Sequence, residues 1–475
     1  MITAYTVEQI RAAESVALAR TPDGALMRRA ATAVATVALS RLSHPRPGRS
    51  VALLVGSGNN GGDALYAGVL LARRGIGVTA LLSNPERVHR AGLLAFHRAG
   101  GKTAEATDVL ARQAISCADL VIDGLVGIGA TPPLRAPADH LVHLLGSAAA
   151  AVLAVDVPSG IDPDTGAEDG PAVRADVTVT FGAPTSGLLV SHRTGQLVVA
   201  DLGLAPSADQ VPDVLALEDA DADRLRPRTG SADDKFSSGV VGVLAGSEQY
   251  PGAAVLSVGA AVSLRPGMVR YAGPQGTAVL ARWPEVIAAA DPAAAGRVQA
   301  WVAGPGMGTD GAALARLHTV VTSDVPVVID ADALTLLSAN PTLLSRRNHG
   351  AGAASTVLTP HSGEFSRLWA DLDPVDRLQS ARSAARRSGA VVLLKGNRTL
   401  IAAPDGRVAV NQSGNGWLAT AGSGDVLSGM IGSLLAAGLE PFLAAALGAH
   451  LHGRAGERAQ QDGRAGAQAL WSYLG

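Results

Sequence analysis

Residues 6–42 carry apolar positions at helical spacing, broken once at Pro22-Asp23-Gly24, which predicts two helices in succession. The turn-forming run His44-Pro45-Arg46-Pro47-Gly48 ends them. Short apolar runs then alternate with helical stretches. SVALLV at 50–55, GVTALL at 77–82, DLVIDG at 119–124, AVLAVDVPSG at 151–160, DVTVTFG at 176–182 and QLVVADLG at 196–203 read as strands. GSGNNGGDALYAGVLLARRG at 56–75 reads as a turn and a helix, and further helices are expected around 88–98 and 136–145. Strands that are apolar throughout and separated by helices belong to a parallel sheet covered on both faces.

Residues 205–234 are rich in Pro, Asp and Arg and lack a sustained period, so they read as a connection. A second alternating series follows. GVVGVLAGS leads to Tyr250-Pro251-Gly252-Ala253 and a helix of small residues. VQAWVAGPGMG is a strand with a Gly-Pro-Gly turn, and VPVVIDADAL is a strand ending in Asp330 and Asp332. STVLTPHSGEF places Pro360, His361 and Glu364 at a helix start, and VVLLKGNRTLIAAP is two strands joined by a turn at Lys395. ATAGSGDVL at 419–427 then opens a helix, and a last helix pair carries His450 and His452. Spaced i and i+2, those two histidines point to different faces, which disfavours a shared metal and favours structural roles. No internal repeat relates the two halves. The expected domains are 1–211 and 212–475.

Composition narrows the class. Hydrophobic residues at 47% and charged residues at 17% suit folded α/β domains and exclude general disorder. With 3% aromatics, the cores must be built from Ala, Val and Leu. A net charge of −2 without a long basic run argues against a nucleic-acid partner. The single cysteine, Cys117, excludes an internal disulfide and a cysteine-based metal site. The first residues lack the pattern of a secretory signal, and the apolar stretch near 431–451 is broken by Glu440-Pro441, so no membrane span is expected and cytoplasm is the default compartment.

Two stretches carry candidate chemistry. Ala421-Gly422-Ser423-Gly424-Asp425 joins a tight turn to a helix start. Free N–H groups of a first helical turn form an anion site, the glycines allow close approach, and Asp425 could take a proton from a substrate hydroxyl. A simple capped helix behind a packing turn is the plainer alternative. Lys395 suits a phosphate but could equally be solvated, and the absence of G-x-x-x-x-G-K-[ST] excludes a P-loop. In the first half, Gly56-Ser57-Gly58-Asn59-Asn60-Gly61 matches G-x-G-x-x-G, yet the acid a dinucleotide site needs on the second strand is replaced by Leu81-Leu82-Ser83. Polar groups instead end three strands: Asn59, Asn60, Gly61, Gly62 and Asp63; Asp123; and Asp156 with Ser159. In an open parallel sheet these ends face one crevice, and an oxygen-rich cluster there suits a hard cation and hydroxyl-bearing ligands, beyond the turn and cap roles such residues often have.

WVAGPGMG, VVIDADAL, TVLTPHSGEF, VVLLKGNRTLIAAP and AGSGD, in this order, resemble the ribokinase-like ADP/ATP-dependent NAD(P)H-hydrate dehydratases over the second half of the chain. Ser423 stands where that family usually has Thr and keeps the hydroxyl, while Asp234-Lys235-Phe236 replaces a common Lys-Gly. NNGGD, VIDGLVGIGATPPLR and AVDVPSGIDPDTG resemble NAD(P)H-hydrate epimerase over residues 1–210, with Ala64 where Gly is frequent. The resemblances imply a Rossmann-like three-layer αβα domain followed by a ribokinase-like α/β domain. They imply an epimerase that interconverts the R and S hydrates of NADH and NADPH, fused to a dehydratase that consumes the S form with ADP or ATP and Mg²⁺. By the same resemblance, Asn60, Asp123 and Ser159 hold K⁺. Epimerase substrate meets Asn59, Asn60, Gly61, Gly62, Asp63, Gly127, Ile128, Gly129, Ala130, Thr131, Pro132, Pro133 and Asp156, with Asp156 as acid/base. Dehydratase substrate meets Ala253, Gly306, His361 and Asp425, the last as catalytic base, and nucleotide meets Lys395, Gly396, Asn397, Arg398, Thr399 and Gly424. The expected partners are these small molecules, with no nucleic acid and no membrane, in a homo-oligomer whose size the residues leave open. Two rivals stand beside this reading: a ribokinase-like kinase for a vitamin precursor fused to a nucleotide-binding domain, and a nucleotide-sensing module without turnover.

Overall fold

The computed structural model describes residues 1–42, 48–106, 108–204, 206–207, 209–228, 230, 236–349 and 355–474. The turn expected at 44–47 and the Asp234-Lys235 departure lie outside the described residues. The chain forms two compact units, Thr3–Val214 and Leu215–Gly475, the latter joined by Met1–Ile2.

In the first unit seven parallel strands lie in the order Lys102–Glu105, Gly77–Leu82, Ser50–Val55, Leu120–Gly124, Ala151–Val155, Val177–Phe181 and Gln196–Ala200. The alternation along Ser50–Val55 explains the layers. Val51, Leu53 and Val55 pack with Val34 and Ala38 of the helix Ala25–Arg41 and with Leu65 and Val69 of the helix Asn59–Ala72. Ala52 and Leu54 point the other way, toward Leu141 and Leu145 of the helix Ala138–Leu145. This is the expected three-layer αβα arrangement. Chain order reverses on either side of Ser50–Val55, which makes the adjoining crevice a topological switch point.

Local differences from the sequence reading have local causes. The helix expected around 88–98 starts at Arg90, because the His89 side chain accepts from Gly92 N at 3.0 Å and caps it. The edge strand Lys102–Glu105 and the helix Asp108–Ser116 were not anticipated; the strand is mostly exposed and has no apolar run to announce it.

In the second unit, neighbouring strands run Val408–Asn411, Thr399–Ala402, Val391–Leu394, Thr356–Leu358, Val327–Ile329, Ala300–Ala303, Val240–Leu244, Met268–Ala272 and Ile287–Ala289. The hairpin strands Thr399–Ala402 and Val408–Asn411 are antiparallel to their predecessors, and the rest pair in parallel. The helix Ser423–Ala436 is buried from Val426 onward and packs beside the helix Pro251–Ser263. A Cβ at Gly429 would run into the Ser257 carbonyl oxygen, and one at Gly432 would overlap the Val302 side chain. Glycine is therefore required at both positions for this helix to lie so close to its neighbours.

Candidate active sites

The two units each place a set of polar side chains at strand ends. In the first, Asn60 opens the helix Asn59–Ala72 and is 8% exposed. Its Nδ2 donates to the carbonyls of Val126 at 2.5 Å and Val155 at 2.9 Å, which leaves Oδ1 for a ligand. Asp123, fully buried, accepts from Ser159 Oγ at 2.7 Å, Ser159 N at 2.8 Å and Leu125 N at 3.2 Å. Burial pushes its carboxyl up to about 6 against the pull of those donors. Val126 N donates to Ser159 Oγ at 3.3 Å, so one loop ties Asn60, Asp123 and Ser159 together. A buried carboxylate with only neutral donors around it is costly without a counter-charge, and its oxygen-rich setting fits a monovalent cation.

Asp156 follows the strand Ala151–Val155 with φ 69°, a left-handed conformation rare for a residue with a side chain. Its Oδ2 accepts from Ile128 N at 3.1 Å and its Oδ1 from Thr180 Oγ1 at 3.3 Å, while burial raises its pKa. The carboxyl thus docks on the Gly127–Ile128 part of the predicted substrate loop; Gly129, Thr131 and Pro133 of that loop are exposed. Asn59 and Asp63 line a cavity of about 620 Å³ together with Glu14, Tyr66 and His89. None of those last three was singled out in the sequence. Glu14 sits in the helix Val7–Leu18, where a charge at helical spacing reads as a solvated face. The G-x-G-x-x-G match has a packing reason: a Cβ at Gly56 would strike the Leu125 carbonyl, and one at Gly61 the Gly56 carbonyl.

In the second unit a cavity of about 900 Å³ is lined by His361, Lys395, Gly396, Asn397, Thr399, Gly424 and Asp425 among others. Lys395 ends the strand Val391–Leu394, and its Nζ lies 2.7 Å from Asp330 Oδ1. Asp330 also accepts from Ala331 N at 2.9 Å and, through Oδ2, from Ser428 Oγ at 2.6 Å. Asp425 stands in the first turn of Ser423–Ala436. Its carboxylate accepts no hydrogen bond among the described residues. Burial raises its pKa to about 7, the charges of Asp330 and Asp332 add to the rise, and Lys395 opposes it. The helix start is uncapped by any side chain, and a Cβ on Gly424 would come 3.3 Å from Lys395 Nζ, so backbone and lysine face the same space.

Several expectations are redistributed. Gly422 makes the turn with φ 84° and packs on Leu256, whereas Gly424 is the glycine that faces the cavity. Arg398 turns its guanidinium to the Gln412 carbonyl at 2.9 Å and does not line the cavity. Ala253 and Gly306 adjoin each other at Tyr250 but lie outside the cavity lining. His361 caps the helix Ser362–Leu368 through Nδ1 and lines the cavity as well. His450 meets Asp219 at 2.9 Å and His452 the Ser423 carbonyl at 3.0 Å, so the two histidines serve separate partners. Burial lowers His452 to about 4, which keeps it neutral beside the cavity. Asp330 also lines the cavity, and the acid ending VPVVID was the available signal for it; Ser428 adjoins the site only through its bond to Asp330.

A doubly wound αβα unit with a polar switch point, joined to an α/β unit with a carboxylate at a glycine-flanked helix start, defines a two-site enzyme with a ribokinase-like second half. Residues 241–472 match the family described as NAD(P)H-hydrate dehydratase, and residues 23–187 match the family described as YjeF-related protein N-terminus. The bifunctional NAD(P)H-hydrate repair enzyme Nnr of Mycobacterium tuberculosis is 52% identical over 448 residues, 93% of this chain and 91% of that one. A ribokinase-like superfamily protein from Enterococcus faecalis aligns in structure with TM-score 0.50 and 25% identity, over 56% of this chain and 96% of its own. The ADP/ATP-dependent NAD(P)H-hydrate dehydratase of Bacillus subtilis, co-crystallised with ATP and Mg²⁺, aligns with TM-score 0.46 and 30% identity over 53% and 94%. The chain belongs to the family of bifunctional NAD(P)H-hydrate repair enzymes, with an epimerase half and an ADP/ATP-dependent dehydratase half. Among the described residues no helix is long and apolar enough to cross a membrane.

Proposed function

We propose that Asp425 is the base of the dehydratase half. It takes the proton of the hydroxyl on the hydrated ring, and the resulting alkoxide accepts the terminal phosphoryl group of ADP or ATP. Phosphate then leaves with help from the ring nitrogen's lone pair, and loss of a proton from the neighbouring carbon restores the double bond. The observation that carries this reading is a carboxylate raised to about 7 that accepts no hydrogen bond among the described residues, facing a cavity it shares with Lys395. Lys395, Gly396, Asn397, Thr399 and the N–H at Gly424 would hold the phosphates, and His361 the substrate. Magnesium bound with the nucleotide would offset phosphate charge, and the cavity offers it the Asp330 carboxylate.

In the epimerase half, Asn60, Asp123 and Ser159 would hold potassium, which would supply the counter-charge that the buried Asp123 lacks. Asp156 acts as acid/base on the hydroxyl of the hydrated ring carbon, with Asn59 to Asp63 and the loop Gly127 to Pro133 around the substrate. We place the boundary of the two activities at 211/212, so fragments cut there are each expected to keep one activity.

The test is to give the protein mixed hydrated NADH epimers with ADP or ATP and follow NADH. Full recovery of NADH from both epimers, with one phosphate released per NADH, is expected. A stable phosphorylated product instead would support the kinase reading.

A further inference from the structure

The cavity beside the epimerase crevice holds carboxyl groups from two helices. Glu14, on Val7–Leu18, and Asp63, on Asn59–Ala72, both line it. Asp63 is 8% exposed, and its Oδ1 meets no hydrogen-bond partner among the described residues. An unpartnered oxygen at that depth is expensive unless it carries a proton or meets a ligand. Asp156 stands close enough for its charge to act on both. Burial, then the charge of Asp156, raises Glu14; burial, then Asp156 and Glu14, raises Asp63 well above the usual carboxylate range. Arg11, one helical turn before Glu14, opposes the rise at Glu14 and reaches toward Gly129 of the substrate loop. Asp23, Arg28, Tyr66 and His89 complete the charged and titratable groups facing the cavity. Carboxyls that interact this way titrate together and not one by one.

Resting on the epimerase reading above, we propose that Glu14 is a second acid–base group of that centre, exchanging a proton with the ring hydroxyl from the cavity that Glu14 lines with Asp63. The hydrate carries its hydroxyl on the carbon beside the ring nitrogen. The C–O bond breaks as the nitrogen lone pair forms a C=N bond, and the departing oxygen takes a proton from one carboxyl and leaves as water. Water then adds to the other face, the C=N electron pair returns to nitrogen, and the second carboxylate receives the surplus proton. One proton is given and one received, and no oxidant or reductant is needed. Two groups are required because the two epimers present the hydroxyl to opposite faces.

The experiment compares full-length wild type, Glu14→Gln and Glu14→Asp with purified R epimer, following the S epimer across pH. Glu14→Gln is expected to lower kcat roughly a hundredfold with KM nearly unchanged, and to lose one limb of the pH profile. Glu14→Asp should recover part of the rate and the missing limb. Wild-type kcat and both limbs in Glu14→Gln, or a loss confined to KM, overturns the proposal. Should Glu14→Gln melt early, Arg11→Met decides: removing that charge should move the Glu14 limb to higher pH, and an unmoved limb overturns the assignment. A wild type that does not epimerise at all would instead defeat the epimerase reading itself, while an active wild type with an equally active Glu14→Gln defeats only this inference.

Discussion

Asp123 and Asp425 are both buried enough for their pKa to rise, to about 6 and about 7, yet they are built for opposite uses. Asp123 is enclosed and spends its oxygens on three donors from Leu125 and Ser159. Asp425 faces open space and accepts no hydrogen bond from the described residues. A carboxylate pinned by neutral donors has its charge fixed in place and suits an ion. One without donors keeps its lone pairs for a moving proton, and burial, aided by the charges of Asp330 and Asp332, raises its pKa to about 7. A shifted pKa therefore does not by itself identify a base; in this pair the donors around the group separate the two proposed roles, whereas Asp156, proposed as an acid–base group, accepts from Ile128 N and Thr180 Oγ1.

The sharpest break in this comparison is Asp425→Asn, which keeps size and turn but removes the base. Turnover of the S epimer is expected to fall by roughly two to four powers of ten while nucleotide binding persists. Near-normal turnover would reduce Asp425 to a helix-start acid. Asp123→Ala should weaken potassium binding by roughly ten- to a hundredfold through the lost charged contact, and abolish the potassium dependence of epimerisation. Equal rates without potassium in both proteins would remove the ion from the account. Lys395→Met should act more gently on both chemistry and fold. It strands the buried Asp330 carboxylate, at a cost of roughly 1–3 kcal/mol given the part-exposed lysine. Because Lys395 lowers the pKa of Asp425, its loss raises it, and the rising limb of the dehydratase rate should move to higher pH. An unmoved limb would show that Asp425 does not govern it.

What could be read from the chain follows the same division. Asn60, Asp123, Ser159, Lys395 and Asp425 were legible because each sits where a strand ends or a helix begins, and apolar periodicity marks those places. Glu14 was not, since nothing in a helix's own period tells a charge facing water from one facing a cavity in the tertiary fold. Asp330 was visible as a strand-end acid, but its bonds to Lys395 and Ser428 join residues 65 and 98 positions away. The exposed edge strand Lys102–Glu105 escaped because its pattern carries little apolar signal. Arg398 and Gly422 share motifs with cavity-lining neighbours, yet Arg398 bonds the Gln412 carbonyl and Gly422 packs on Leu256.

The glycines at 429 and 432 bear on how this enzyme can vary. They fall one and two turns beyond Asp425 on the same helix, and each is met by a neighbour's atoms where a methyl group would lie. The proposed base is thus seated on a helix that lies hard against the neighbouring helix at Ser257 and the sheet at Val302, with no slack along the shaft. A single methyl added at Gly429 would lift the helix off Ser257 and shift the carboxylate without touching either substrate. New specificities are then reached most cheaply by reshaping the loops around the opening, and the mounting of the base is the part that drift is least free to alter.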